Sequence, residues 1–448
     1  MKSTTPEWRE LLKLGLPAIA AQLAQMALGV IDTMMAGSVN AESLAAIAVG
    51  TNLLNPVQVF IMGIFLALNP MVAHLAGANQ KDKISSLFQQ GLLLAVLFAI
   101  PCIILLRNTA DFMEMLDIQS SIIPLAHGYL TACTWGLVFF FGFLALRFCN
   151  EGLFSTKIVM VASLAALPFN VVCNYWFIWG GLGIPAMGAV GVGYATSLVW
   201  FVMFSCMLLH TAFAKRFADL NILSRWHGLD WPHLKEIFKI GLPMAVSVGM
   251  EVGIFAVVGL SIASYPIAII AAHQIAMNIA SLAFMVPLGL SIAITARVGF
   301  YAGANEPLGI RTAGYHGVWM ALVFACFSAL AMFTLPELLT GFYTKDPDVI
   351  AHATSLILLA AIFQLSDGTQ VSMMGALRGV KDTQIPMIIT VIAYWGIGFP
   401  LGYYLAEWQQ MSAQGYWIGL IAGLSASALL LSVRFYRISK LPQTAPLS

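Results

Sequence analysis

The chain has 448 residues, of which 60% are hydrophobic and only 9% charged, against roughly 25% charged in a soluble globular domain. Together with a mean hydropathy of +0.87, this excludes a soluble enzyme and specifies a polytopic integral membrane protein. The 21 Lys+Arg and 20 Asp+Glu leave a formal charge of +1, so there is no basic excess for nucleic acid and no acidic tail.

The opening MKSTTPEWRE lacks the charged-then-apolar pattern of a cleavable signal, so the first apolar stretch is expected to remain as a spanning helix. A spanning helix needs ~20 mostly apolar residues to cross ~30 Å of hydrocarbon. Apolar runs between polar or Gly/Pro breaks predict an all-α membrane fold of twelve transmembrane helices. They fall at 11–35, 45–75, 85–106, 122–147, 158–179, 189–213, 237–262, 268–298, 311–336, 349–376, 385–406 and 414–436. Pro56 and Pro70 in the second span and Pro287 in the eighth predict tilt or kinks. Cys102, Cys133, Cys149, Cys173, Cys206 and Cys326 lie in apolar stretches without close spacing, and read as small buried hydrophobes rather than disulfides or metal ligands.

The lysines and arginines orient these spans. All but Arg107 and Lys345 fall at the termini or at even-numbered turns, among them Lys2, Lys81, Arg147, Arg225, Arg297 and Arg378. The positive-inside rule then places both termini in the cytoplasm. Arg147 and Arg378 fall at cytoplasmic helix ends, so the spans are expected to hold no mid-span Lys or Arg.

The two halves repeat each other. Lys13-Leu-Gly-Leu-Pro17 matches Lys239-Ile-Gly-Leu-Pro243, an offset of 239 − 13 = 226. The same offset pairs Asn52 with Asn278, Gly63 with Gly289, and Ala76-Gly-Ala-Asn79 with Ala302-Gly-Ala-Asn305. Gly152…Thr156 pairs with Gly379…Thr383 at 227. The expected organisation is an N-terminal six-helix lobe (1–213), a cytoplasmic linker (214–236) and a C-terminal six-helix lobe (237–448). Because six is even, these are parallel repeats, an arrangement that suits a transporter with its substrate between rocking lobes.

Three acids lie inside spans: Asp32, Glu251 and Asp367. A carboxylate at the bilayer centre costs at least ~2.5–3.5 kcal/mol, so such residues are functional candidates by default. Under the duplication Glu251 aligns with Gln25, Asp32 with Val258 and Asp367 with Phe140; the acids distinguish the lobes rather than belonging to the shared scaffold. Asn170 and Asn174, spaced i, i+4, share one helix face. Helix rise puts Asn174, Asp32 and Thr196 at similar depth in the outer half. An Asp, two Asn and a Thr converging there make a proton site or an oxygen site for a hard cation. A buried carboxylate can hold a proton, an Na⁺ ion or an organic cation, one at a time, and that competition is the logic of antiport.

These residues make the chain resemble the multidrug and toxic compound extrusion (MATE) transporters of the NorM-like branch, built on the MOP-type fold. The motifs are Gly-Leu-Pro opening the first and seventh spans, Val30-Ile-Asp32-Thr-Met-Met-Ala-Gly37, the two Ala-Gly-Ala-Asn tetrads, and Gly375-Ala-Leu-Arg-Gly379…Asp382-Thr-Gln-Ile-Pro386. The resemblance implies a coupling-ion site in the C-lobe at Glu251 and Asp367, the acids that would take Na⁺ as a metal, and one in the N-lobe at Asp32, Asn170, Asn174 and Thr196. It further implies substrate contacts at Gln274 and Asp346. Phe363 stands where related proteins often carry a tyrosine, one turn before Asp367; it keeps a ring for cation–π attraction but supplies no hydroxyl. The implied activity is Na⁺- or H⁺-coupled export of organic-cation drugs across the cytoplasmic (inner) membrane, by a monomer in the lipid bilayer, with no cofactor and no nucleic-acid partner.

The rival reading is a flippase for lipid-linked oligosaccharides or lipids, which should place Arg or Lys in its cleft. Neither a phosphate loop nor an HExxH pair is present, which argues against ATP drive and zinc proteolysis. His273 beside Gln274 is read as packing ahead of proton relay.

Overall fold

The computed structural model describes residues 6–181, 183–220, 222 and 228–440. Lys2, Arg225 and part of the 214–236 segment therefore lie outside the described residues. The elements are helices, and no strand occurs among the described residues. Eleven are long and apolar enough to cross a membrane, and one bent pair supplies a twelfth span.

In chain order the spans are α1 (Glu7–Gly37), α2 (Ala41–Gly77), α3 (Lys81–Arg107), α4 (Ile123–Thr134 with Leu137–Gly152), α5 (Thr156–Trp179), α6 (Ala189–Phe213), α7 (Trp231–Ile262), α8 (Ile267–Gly303), α9 (Pro307–Thr334), α10 (Pro347–Gly379), α11 (Gln384–Trp408) and α12 (Ser412–Ile438). Each predicted span coincides with one of these to within a few residues.

The irregularities have local causes. α2 breaks between Phe65 and Leu68; the ring of Pro70 cannot accommodate the carbonyl four residues earlier, at Leu66. Pro287 leaves α8 continuous. The 50° bend of α4 falls at Trp135–Gly136, where no proline stands. A β-carbon on Gly136 would lie 2.5 Å from Ser197 Cα, and the Ser197 hydroxyl reaches the carbonyls of Ala132 (2.7 Å) and Cys133 (3.2 Å), which at the bend keep only tightened i, i+3 backbone bonds from Trp135 (3.3 Å) and Gly136 (3.0 Å). A hydroxyl from a neighbouring helix thus satisfies the broken ladder. In α11, Ile392–Gly398 and Tyr404–Trp408 widen into π-helical turns that sequence patterning gave no sign of. The cysteine reading holds for Cys102, Cys133, Cys149 and Cys173, whereas Cys206 is half-buried and Cys326 exposed.

The chain divides into two compact units, Ala20–Ala245 and Met1–Ile19 with Val246–Ser448. The division cuts α1 after Ile19 and α7 after Ala245, inside the helices rather than in the 214–236 segment. Glycines explain how. In the first of these units Gly241 and Gly63 let the backbones of α7 and α2 touch: added β-carbons would lie 2.5 Å from Ile64 O and 2.4 Å from Ala245 Cα. In the other, Gly15 meets the side chain of Leu290 (2.8 Å) and Gly289 the backbone of Ile19 (2.7 Å). The two contact sets are related by the 226-residue offset, and small residues are what allow such close helix crossings in lipid.

Polar anchors fasten the start of each helix concerned. Glu7 accepts two bonds from Arg297 (2.7 and 2.6 Å) and one from the Tyr301 hydroxyl (2.8 Å). Ahead of α7, Asp230 accepts from Ser86 (2.8 Å), and Gln90 donates to the Gly228 carbonyl (2.8 Å). Burial pushes the Asp230 carboxyl up, but bonds from His233 and Ser86 outweigh it and hold the group below its ordinary value. This anchor is therefore intact above the ordinary carboxylate range and is lost as pH falls through the lowered value.

The glycine contacts make a stability prediction. Gly241→Leu should lower the melting temperature of purified protein in detergent, since overpacking costs ~1–3 kcal/mol. Gly249→Ala on the same helix, with nothing within 4 Å of its β-carbon, should leave it unchanged. Equal melting temperatures for Gly241→Leu and the parent would contradict the packing.

Candidate functional site

In the Ala20–Ala245 unit the four predicted N-lobe residues converge. Asp32, five residues from the end of α1 at Gly37, is half-buried; Asn170 and Asn174 on α5 are buried. Asp32 Oδ1 accepts from Asn170 Nδ2 at 2.9 Å and from Asn174 Nδ2 at 2.7 Å. Asp32 Oδ2 accepts from the Thr196 hydroxyl of α6 at 3.1 Å. Asn174 also donates to Asn170 Oδ1 at 3.2 Å, and Thr196 to the Val192 carbonyl at 2.9 Å. The i, i+4 spacing on α5 is what aims both amides at one oxygen. Asn174 Oδ1 is buried without a partner. In the same unit, the ring of Tyr129 fits against Gly50, and its backbone carbonyl lies 2.6 Å from the β-carbon position of Gly193.

A second polar layer of the same unit escaped the sequence reading. Arg147 and Glu151 on α4 are buried and paired at 2.9 Å. Arg147 also donates to Gln25 Oε1 (2.8 Å) and Gln22 Oε1 (2.6 Å) on α1, and Gln25 donates to Ser163 of α5 (3.3 Å). Gln25 and Asp32 are seven residues apart on α1, as are Ser163 and Asn170 on α5. The two layers therefore repeat on the same faces about 10 Å apart.

In the other unit, Asp367 on α10 is buried with Oδ1 unpartnered. It lies within electrostatic reach of Glu251 on α7, and Glu251 in turn of Arg378. Arg378 is buried, and its Nε has no hydrogen-bond partner among the described residues. Tyr394, fully buried with an unpartnered hydroxyl, interacts with all three charges. It stands in the first π-helical turn of α11, a feature frequent at functional sites. The next residue, Trp395, donates to the Met250 carbonyl beside Glu251 at 3.2 Å. The signal for Tyr394 was a polar hydroxyl deep in an apolar span.

Arg147 and Arg378 stand near the ends of α4 and α10, as the sequence reading has them, and neither is mid-span; what that reading missed is that both are buried. Helix packing continues to the ends of α4 and α10 and encloses both side chains.

Of the remaining predicted residues, Phe363 stands one turn before Asp367 on α10. Phe363 is buried in an edge-to-face cluster with Phe255 (6.0 Å) and Trp417 (5.7 Å). His273 is buried and accepts from Trp417 Nε1 at 3.2 Å, a packing role; Gln274 is exposed on α8. Asp346 is exposed and caps α10, its side chain accepting from the Asp348 amide at 3.0 Å. It stands 21 residues from Asp367 on the same chain segment, about 31 Å along the helix.

Comparison with known proteins accords with this architecture. The MatE family model matches residues 17–176 and again 243–404, two segments whose starts differ by the repeat offset of 226. A probable multidrug resistance protein NorM of Shewanella oneidensis is 39% identical, covering 98% of this chain and 97% of that protein. The multidrug resistance protein MdtK of Photorhabdus laumondii is 41% identical, covering 99% and 98%. An outward-facing multidrug resistance MATE family transporter of the MOP superfamily superposes with a TM-score of 0.88 at 19% identity, over 98% of each chain. The chain belongs to the MatE family of multi-pass membrane proteins.

Proposed function

We propose that this protein is a multidrug efflux antiporter that exports organic cations across the cytoplasmic membrane in exchange for H⁺ or Na⁺. The observation that carries the reading is Asp32, a carboxylate within a spanning helix that faces three side-chain donors and forms no ion pair among the described residues. The names of the curated relatives support drug efflux. The distribution of lysine and arginine supports cytoplasmic termini.

The chemistry is a competition for negative charge. Ionised Asp32 attracts an organic cation or the coupling ion, and one excludes the other. A proton arriving at Oδ2 is accommodated by the turn of one hydroxyl: the new O–H donates to Thr196 Oγ1, while the hydrogen of Thr196 leaves Oδ2 for the Val192 carbonyl, 2.9 Å away. An Na⁺ ion would instead use Asp32, Thr196 Oγ1 and the unpartnered Asn174 Oδ1. Glu251, Asp367 and the ring of Phe363 form the corresponding cation site of the C-terminal half, with the Tyr394 hydroxyl as the oxygen that Phe363 lacks. Gln274 and Asp346, both exposed, serve as substrate contacts away from the acids. The functional molecule is a monomer, since each carboxylate cluster is complete within one chain.

Asp32→Asn should lower resistance of a drug-sensitive host by about tenfold or more, equivalent to ~1.4 kcal/mol, with expression unchanged; full resistance would reject the assignment. Thr196→Ser should transport like the parent and Thr196→Val poorly, measured as ethidium efflux from loaded cells. Equal efflux by the two would remove Thr196 from the mechanism. For orientation, Lys345→Cys should react with a membrane-impermeant maleimide in intact cells, and Lys83→Cys only after permeabilisation.

A further inference from the structure

The unit that joins Met1–Ile19 to Val246–Ser448 carries a groove away from its acids. It has a volume of about 900 Å³ and is lined by Trp8 of α1 and by Tyr315, His316, Val318, Trp319 and Leu322 of α9. Helix contacts set its depth. Glu7 of α1 bonds to Arg297 of α8, and Gly309 and Gly317 of α9 meet Tyr301 and Ile294, on either side of Arg297. Both α1 and α9 thus run antiparallel to α8. Trp8 stands level with Tyr315, and Trp319 and Leu322 lie one to two turns deeper in the span.

The deep end is apolar. Trp319 begins a stripe that continues through Val323, Phe327 and Leu330, all exposed and all on one face of α9. On a spanning helix such a face is turned to lipid.

The shallow end is cationic. Arg9 lies over the ring of Trp8, its guanidinium carbon 5.1 Å from the centroid. The acids beside it are already engaged: Glu7 with Arg297 and Tyr301, and Glu10 with Lys13 at 2.8 Å. Arg311, one turn before Tyr315 on the same face of α9, donates through Nε to the Ser439 carbonyl at 2.8 Å. Neither arginine forms an ion pair among the described residues. The rings of Trp8, Tyr315 and Trp319 are of the kind that sits at headgroup level. Two guanidinium groups there attract an anionic headgroup and repel an organic cation, and their planar forks match phosphate oxygens.

We propose that this groove binds an anionic glycerophospholipid from the leaflet on that side of the membrane. One acyl chain lies along Trp319 and Leu322 against the ring of Trp8, and Arg9 and Arg311 hold the phosphate. The lipid bridges α1 and α9 and braces the first turns of α1, which Glu7 already ties to α8. The site stands independently of the antiport reading.

The test titrates the full-length protein in detergent with dioleoyl phosphatidylglycerol or dioleoyl phosphatidylcholine. Native mass spectrometry counts the lipid adducts, and the apparent melting temperature follows their effect. Phosphatidylglycerol should bind as one tight adduct and raise the melting temperature. Phosphatidylcholine, which has the same chains, should bind at least about fivefold more weakly, and Arg9→Gln and Arg311→Gln should each weaken phosphatidylglycerol by about fivefold. Trp319→Ala should weaken both lipids, whereas Lys83→Gln, an exposed cation off the groove, should bind like the parent. Arg9 and Trp319 are exposed, so their variants should melt like the parent before lipid is added, which separates lost binding from lost folding. Equal affinity for the two lipids would overturn the proposal. So would phosphatidylglycerol binding that is the same in the parent, Arg9→Gln and Trp319→Ala. Protection by sn-glycerol 3-phosphate equal to that by the lipid would make a free phosphate the occupant. A Trp319-dependent shift with tetraphenylphosphonium and none with phosphatidylglycerol would make it an organic cation. Either result would overturn the lipid assignment.

Discussion

An ionised side chain in hydrocarbon has to be given donors or an opposite charge by the protein itself, because no bulk water is there to do it. That requirement shapes the interior of both units. Asp32 receives three side-chain donors from two helices, Glu151 receives a guanidinium, and Glu251 lies near another. Each solution ties spans together, so the polar residues inside the membrane also fix which helices are neighbours. Asp367, with an unpartnered oxygen and a like charge nearby, is the least compensated of the four.

The duplication supplies the scaffold on which these solutions differ. The glycine contacts at positions 15 and 241, and at 63 and 289, are kept in both halves because close helix crossing tolerates no side chain there. The acids are not kept. Position 25 is a glutamine bonded to an arginine, while position 251 is a glutamate near one. The shared frame with unshared charges gives two distinct polar clusters in one chain, rather than two copies of a single one.

Much of this was legible in the sequence. Span number followed from apolar run length, and the N-terminal cluster followed from the i, i+4 asparagines together with helix rise, because both are one-dimensional properties. The burial of Arg147 and Arg378 was not legible for a physical reason. Hydropathy marks where a helix leaves lipid, not where it leaves protein, and the last turns of α4 and α10 are enclosed by neighbours. Tyr394 was missed because its placement depends on a π-helical turn, which has no compositional signature. The bend at Gly136 depends on Ser197, 61 residues away, and the division of α1 at Ile19 depends on partners on α8, so neither could be read locally. Asp346 was legible as an acid, but its structural use as a helix cap emerged only with the backbone.

The central claim is that one carboxylate in each half binds either the coupling ion or an organic cation, never both. The most direct measurement is ion release on ligand binding: titrate tetraphenylphosphonium into purified protein in weakly buffered detergent, following pH with a dye and free Na⁺ with an ion-selective electrode. The account predicts stoichiometric release of H⁺ or Na⁺ that disappears in Asp32→Asn/Asp367→Asn. Saturable binding of tetraphenylphosphonium to the parent protein with no release of either ion would contradict it.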